Sequence, residues 1–199
     1  MSSDLVVRHE QHLLDVISGQ RFLKMEGLGN EVPFFIYPFD PEDALQVAQS
    51  KKRLKNKLSG LGVTVFEINL YDLSVEILKA RGVWDRVLAI EPEQDKADFR
   101  ELLQSMLDPE QHIAPAIRDR LAAATYDVFF LTGIGEVFPY IRSHNVLNNL
   151  QSVAAMKPML LFVPGRYEQS DTLGSSLVLF GRLTDDQYYR AKNILEQEP

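Results

Sequence analysis

The chain has no cysteine, which excludes disulfides, thiolate metal ligands and a cysteine nucleophile in one step. Such a composition suits a reducing compartment. No apolar run approaches membrane-spanning length, since segments such as 128–131 and 159–163 are only strand-sized. Residues 1–15 hold no basic stretch followed by an apolar one, so no secretory signal is expected and a cytoplasmic location is. Positive charge is in deficit, with 21 Lys and Arg against 28 Asp and Glu and a net charge of −7. That balance argues against a surface built throughout for phosphate backbones, while leaving room for a local basic patch.

What is present is ordinary globular composition. With 199 residues, 45% hydrophobic and 25% charged, the chain is long enough for one well-filled core, and a single domain over residues 1–199 is expected. Helical spacing of Leu5, Val6, His9, Leu13, Val16 and Ile17 predicts a helix over 5–22, followed by a glycine turn at 27–30. The aromatic run 33–39 reads as a buried strand. Asp40-Pro41-Glu42-Asp43 then signals a helix start, with an Asp cap and early acids, and that helix should run to about Ser59. A second strand is expected over 63–70, helices over 71–81, 95–107 and 116–124, and chain breaks at Pro109 and Pro115. Further strands are expected at 126–131, 159–163 and 176–180, with a helix over 137–155 and a polar loop over 166–175. Pro164-Gly165 is expected to stop the fourth strand, and Thr184 to cap a final helix reaching Glu196. Alternation of apolar strands with helices predicts an α/β fold with a mostly parallel sheet flanked by helices.

No set of residues announces catalysis. A P-loop needs glycines whose N–H groups wrap phosphates and a lysine to neutralise them. The corresponding first turn, Pro38 to Asp43, offers two prolines, three acids and neither glycine nor lysine. Gly133-Ile134-Gly135 is too short to replace it, Glu136 brings the wrong sign, and a tight turn explains the glycines as well as a cofactor would. His9 and His12 share a helix face without a carboxylate to complete a metal set. Ser143 and His144 are neighbours in sequence and diverge on a helix, so they do not form a nucleophile–base pair. No cofactor is therefore expected. The strongest charge run is Lys51-Lys52-Arg53-Leu54-Lys55-Asn56-Lys57, whose Lys51, Lys52, Lys55 and Lys57 are candidate nucleic-acid contacts. A solvated helix end that complements the helix dipole is the competing reading.

The segments 129–150, 162–167 and 179–191, which include Thr132-Gly133-Ile134-Gly135-Glu136, Val163-Pro164-Gly165-Arg166-Tyr167 and Phe180-Gly181-Arg182-Leu183, resemble the BrxB family of bacterial phage-exclusion (BREX) defence systems. The resemblance extends over essentially the whole chain, including the strand at Pro33 and the segment 69–73. It implies a bacterial cytoplasmic protein acting with a large ATPase, a DNA methyltransferase, the phosphatase-like PglZ and a small DNA-binding protein. It also implies a non-enzymatic adaptor or scaffold whose first partner is PglZ, with no catalytic residues to carry over. The strand ending at Thr132 resembles the sensor strand of AAA-type NTPases, which suggests a degenerate P-loop core without Walker motifs. Because Tyr and Arg dominate binding hot spots, Tyr140, Arg142, His144, Tyr167, Arg182, Tyr188, Tyr189 and Arg190 are candidate partner contacts. A DNA-contact subunit using the helix at 51–57 and a cryptic nucleotide-binding domain at Gly133, Gly135 and Glu136 remain the alternatives.

Overall fold

A computed structural model describes residues 2–26, 33–150, 156–170, 174–185 and 191–199. In it the apolar runs become β1 (Phe34–Phe39), β2 (Val65–Asn69), β3 (Val128–Thr132), β4 (Met159–Ser170), β5 (Gly174–Leu179), β6 (Leu183–Asp185) and β7 (Lys192–Asn193). Among the described residues all seven join one sheet, with the parallel order β2-β3-β4-β1-β7. The far half of β4 turns out of this layer and pairs antiparallel with β5, which pairs antiparallel with β6. In the parallel layer Phe34 and Phe129 both stand beside Met159, and Ile36 and Leu131 beside Leu161.

Successive strand residues point to opposite faces. Phe34, Ile36, Phe129, Leu131, Met159 and Leu161 fill one core, while Phe35, Tyr37, Val128, Phe130, Leu160 and Phe162 fill the other. Helices α1 (Ser2–Ser18) and α3 (Ala44–Gly60) cover the second face with Val6, Leu13, Ile17, Val47, Leu54 and Leu58. A four-residue helix, α2 (Gln20–Leu23), adds Phe22. The first face is covered by α4 (Leu70–Ala80), α5 (Trp84–Ile90), α6 (Lys96–Met106), α7 (Ala114–Ala123), α8 (Ile134–Val137) and α9 (Ser143–Leu150). Strands apolar on both sides thus do what their sequence asks: they are buried from both sides.

Several helix starts are capped as their sequences indicate. Asp40 Oδ1 accepts from the Glu42 N–H at 3.0 Å, ahead of the short 3-10 turn Pro41–Asp43 that leads into α3. Asn69 Oδ1 accepts from the N–H groups of Tyr71 and Asp72 at 2.8 and 3.2 Å, joining β2 directly to α4. Pro109 and Pro115 begin helical turns rather than break them; Pro109 follows Asp108, whose side chain accepts from Glu110 and Gln111.

Other expectations also need correction; the helix over 5–22, for one, is divided at Gly19 into α1 and α2. The helix over 137–155 is broken into α8 and α9, because Phe138 takes an extended conformation (ψ 136°) before Pro139, as residues preceding proline favour; residues 151–155 lie outside the described ones. Pro164-Gly165 does not stop β4, which continues where a polar loop was expected. Gly165 has φ +152°, a conformation almost confined to glycine, and a Cβ there would lie 2.2 Å from the Val178 carbonyl oxygen. The helix expected from Thr184 is replaced by β6, β7 and a 3-10 turn at Ile194–Glu196, with 186–190 outside the described residues. Here pairing of β7 with β1 overrides local helical preference. Finally, the spacing missed α5 at Trp84–Ile90 altogether.

Candidate functional site

Ligands of open α/β sheets usually bind beyond the carboxyl ends of parallel strands, where neighbouring connections leave for opposite faces. β1 sends its connection to α3 on one face, and β3 sends its own to α8 on the other. Between these departures, beside β4, lies a crevice of about 300 Å³. Phe162, Pro164 and Thr132 line it from the strands, Ala44, Val47, Ala48 and Lys51 from α3, and Gly133 to Glu136 from the turn into α8. Phe39 and Phe180 flank it.

Among the described residues Lys51 is the only cation lining this crevice, and it is already committed. Its Nζ donates to Glu67 on β2, and Glu67 also accepts from Lys55 Nζ at 2.7 Å and from the Thr132 hydroxyl at 3.1 Å. Burial by itself raises the Glu67 carboxyl, but the hydrogen bonds and charges of Lys51 and Lys55 outweigh it and hold the group below its ordinary value. The glycines of the turn are also committed. Gly133 has φ +77°, and a Cβ there would lie 2.4 Å from Asn69 Oδ1, the cap of α4. A Cβ on Gly135 would lie 2.7 Å from the Pro164 ring. Thus the turn is shaped by packing against α4 and β4, and the crevice presents an apolar lining with a neutralised lysine.

The basic run on α3 divides between two carboxylates. Lys51 and Lys55 go to Glu67, while Arg53 and Lys57 go to Glu10 on α1. Glu10 is 4% exposed and also accepts from the Ser50 hydroxyl at 3.0 Å. Burial pushes the Glu10 carboxyl up, but hydrogen bonds from Arg53, Lys57 and Ser50 prevail and lower it. Of the candidate nucleic-acid contacts, only Lys52 has no ion-pair partner among the described residues. Both histidines of α1 have separate structural partners. His9 Nδ1 lies 3.2 Å from the Tyr37 hydroxyl, and His12 Nε2 lies 3.2 Å from the Ile194 carbonyl. Among the described residues there is no group of three His, Asp or Glu arranged to hold a metal ion.

The candidate partner residues do not form a single cluster. Arg142 and Arg182 line one hollow of about 290 Å³ between the α8–α9 junction and the β5–β6 hairpin. Arg182 and Tyr167 also line an open groove of about 780 Å³ with His9, Asp40, Glu42 and Arg166. Its Tyr167 hydroxyl donates to the Ala191 carbonyl at 2.6 Å, tying β4 to the approach of β7. Tyr140 packs against the core of the first face, and His144 is half-buried in the first turn of α9. Tyr188, Tyr189 and Arg190 lie outside the described residues.

Reasoning from sequence passed over Glu10, Glu67, Arg166 and Phe180. The two glutamates had a visible signal: Glu10 continues the apolar stripe of Val6, Leu13 and Ile17, and Glu67 sits inside a strand of apolar residues. Phe180 had none, since its φ of +55°, unusual for a bulky residue, comes from the tight turn between β5 and β6.

Among the described residues no helix is long and apolar enough to cross a membrane. Comparison with known proteins finds the family "BREX protein BrxB" matching residues 66–194. A BREX protein BrxB of Bacillus cereus (strain H3081.97) is 34% identical over 194 residues, covering 93% of this chain and 95% of that protein. The BREX protein BrxB of Escherichia coli O9:H4 (strain HS) is 30% identical over 179 residues, covering 90% of this chain and 86% of its own. No solved structure matches.

Proposed function

The chain belongs to the BrxB family of BREX proteins, and from this membership we propose that it is a non-enzymatic adaptor in a BREX anti-phage defence complex, with PglZ as its direct partner. The observation that carries the reading is the state of the crevice at the carboxyl ends of β1, β3 and β4. An enzyme would use that position for a phosphate, a metal or a nucleophile, and here its one lysine is neutralised by Glu67 and its glycines are filled by Asn69 and Pro164. Kinship with a degenerate AAA-type core is supported by the order β7-β1-β4-β3-β2, which sets the first strand inside the sheet between the fourth and the last. That support is an analogy of fold and implies no activity.

A pairwise pull-down of the purified chain against PglZ and each other BREX subunit tests the proposal. The expected result is a stoichiometric complex with PglZ that survives moderate salt. Failure of every subunit to bind would remove the adaptor reading. A thermal-shift screen with nucleotides and divalent metals addresses the enzymatic alternative, because a ligand of the folded state raises the midpoint; the adaptor reading expects no shift.

A further inference from the structure

The hollow between the α8–α9 junction and the β5–β6 hairpin shares the apolar character of the crevice but differs from it in charge. Ile134, Ile141 and Leu179 line it, all buried, together with Ser143, and Phe138 and Leu183 stand at its sides. Leu183 is 42% exposed, a large side chain left open beside an apolar cavity. Arg142 and Arg182 border the hollow, both exposed, and neither guanidinium has a hydrogen-bond or ion-pair partner among the described residues. In a chain of net charge −7, two arginines unpaired among the described residues beside one apolar cavity form a local reversal of sign.

We propose that this hollow receives an acidic segment of a partner protein, whose single large apolar side chain enters against Ile141 and Leu179 while flanking carboxylates pair with Arg142 and Arg182. The proposal rests on the adaptor reading and gives its docking point a chemistry. A planar guanidinium holds a carboxylate through two parallel hydrogen bonds and so fixes orientation, while binding energy concentrates on a large side chain that fills a desolvated pocket. A nucleic acid fits less well. Its backbone would need cations along a track, whereas the hollow supplies two in a chain of net charge −7.

The test uses the full chain and a labelled ten-residue peptide made of Asp and Glu around one central Phe, followed by fluorescence anisotropy. A matched peptide with Ser in place of Phe and a labelled ten-nucleotide oligothymidylate serve as comparisons. The expected result is saturable binding of the Phe peptide, about tenfold weaker for the Ser peptide and about tenfold weaker for the Arg142→Glu/Arg182→Glu double variant. Leu183→Asp, an exposed change that brings a repelling charge to the mouth, should weaken binding comparably. Thermal melting of both variants checks that they fold. No binding of the Phe peptide at low salt overturns the proposal, as does equal binding of the Ser peptide or tighter binding of the oligothymidylate. The same double variant is carried into the pull-down. A PglZ complex that persists unchanged sinks the acidic-segment proposal and leaves the adaptor reading standing, whereas no complex with the native chain sinks the adaptor reading itself.

Discussion

At the scale of single residues, two carboxylates govern how the basic helix is used. Glu10 is buried and receives Ser50, Arg53 and Lys57, so Glu10→Ala removes the acceptor common to three donors. Because Arg53 and Lys57 remain about half exposed, water screens part of the loss, and a destabilisation of about 2 kcal/mol is expected in a urea titration. Glu67→Gln should cost about 1–2 kcal/mol at neutral pH, since Lys51 and Lys55 lose their charged partner. Its pH dependence has a defined direction. The folded-state carboxyl lies below its ordinary value of 4.5, so its contribution is complete above that value and disappears as pH falls through the folded-state one. Stability curves of the native chain and Glu67→Gln should therefore converge in acid and separate towards neutrality. Parallel curves across that range would show that Glu67 does not carry the linkage. Both glutamates were visible in the sequence as charges on apolar faces, but only the structure names their partners, which stand 12 to 65 positions away.

At the scale of elements, what could be read was whatever is decided locally. The start of α3 followed from Asp40 and Pro41, and the strands at 34–39 and 128–132 from unbroken apolar runs. What could not be read depends on neighbours distant in sequence. β4 continues through Pro164 and Gly165 because β5 is present to pair with it, and β7 exists because β1 offers an edge. The turn after β3 combines both kinds of information. Its glycines could be seen, but their reason, the Asn69 cap of α4 pressed against Gly133, is tertiary. Gly133→Ala must strain a backbone at φ +77° and displace that cap together. A loss of about 2–3 kcal/mol is expected, against about 1 kcal/mol for Asn69→Ala, which removes the cap alone. Equal losses from the two variants, measured by chemical denaturation, would mean that the turn relaxes freely and that close packing does not explain the glycine.

At the scale of the whole molecule, the charge balance legible in the sequence and the pairing seen in the structure lead to one consequence about nucleic acid. The run at 51–57 supplies five cations, and four of them are spent on Glu10 and Glu67 within the fold. A groove for DNA gains affinity by exchanging condensed counterions for free lysines and arginines, and paired side chains must first give up their carboxylates. In a chain of net charge −7, the remaining Lys52 cannot offset the repulsion of a phosphate backbone. Titration with a labelled duplex at about 50 mM salt should therefore show no saturable binding, and Lys52→Glu should leave both folding stability, within about 0.5 kcal/mol, and any PglZ complex unchanged. Tight duplex binding that weakens steeply with salt and is lost in Lys52→Glu would place the nucleic-acid contact on α3 after all. It would mean that Glu10 and Glu67 hold the cations in reserve rather than consume them.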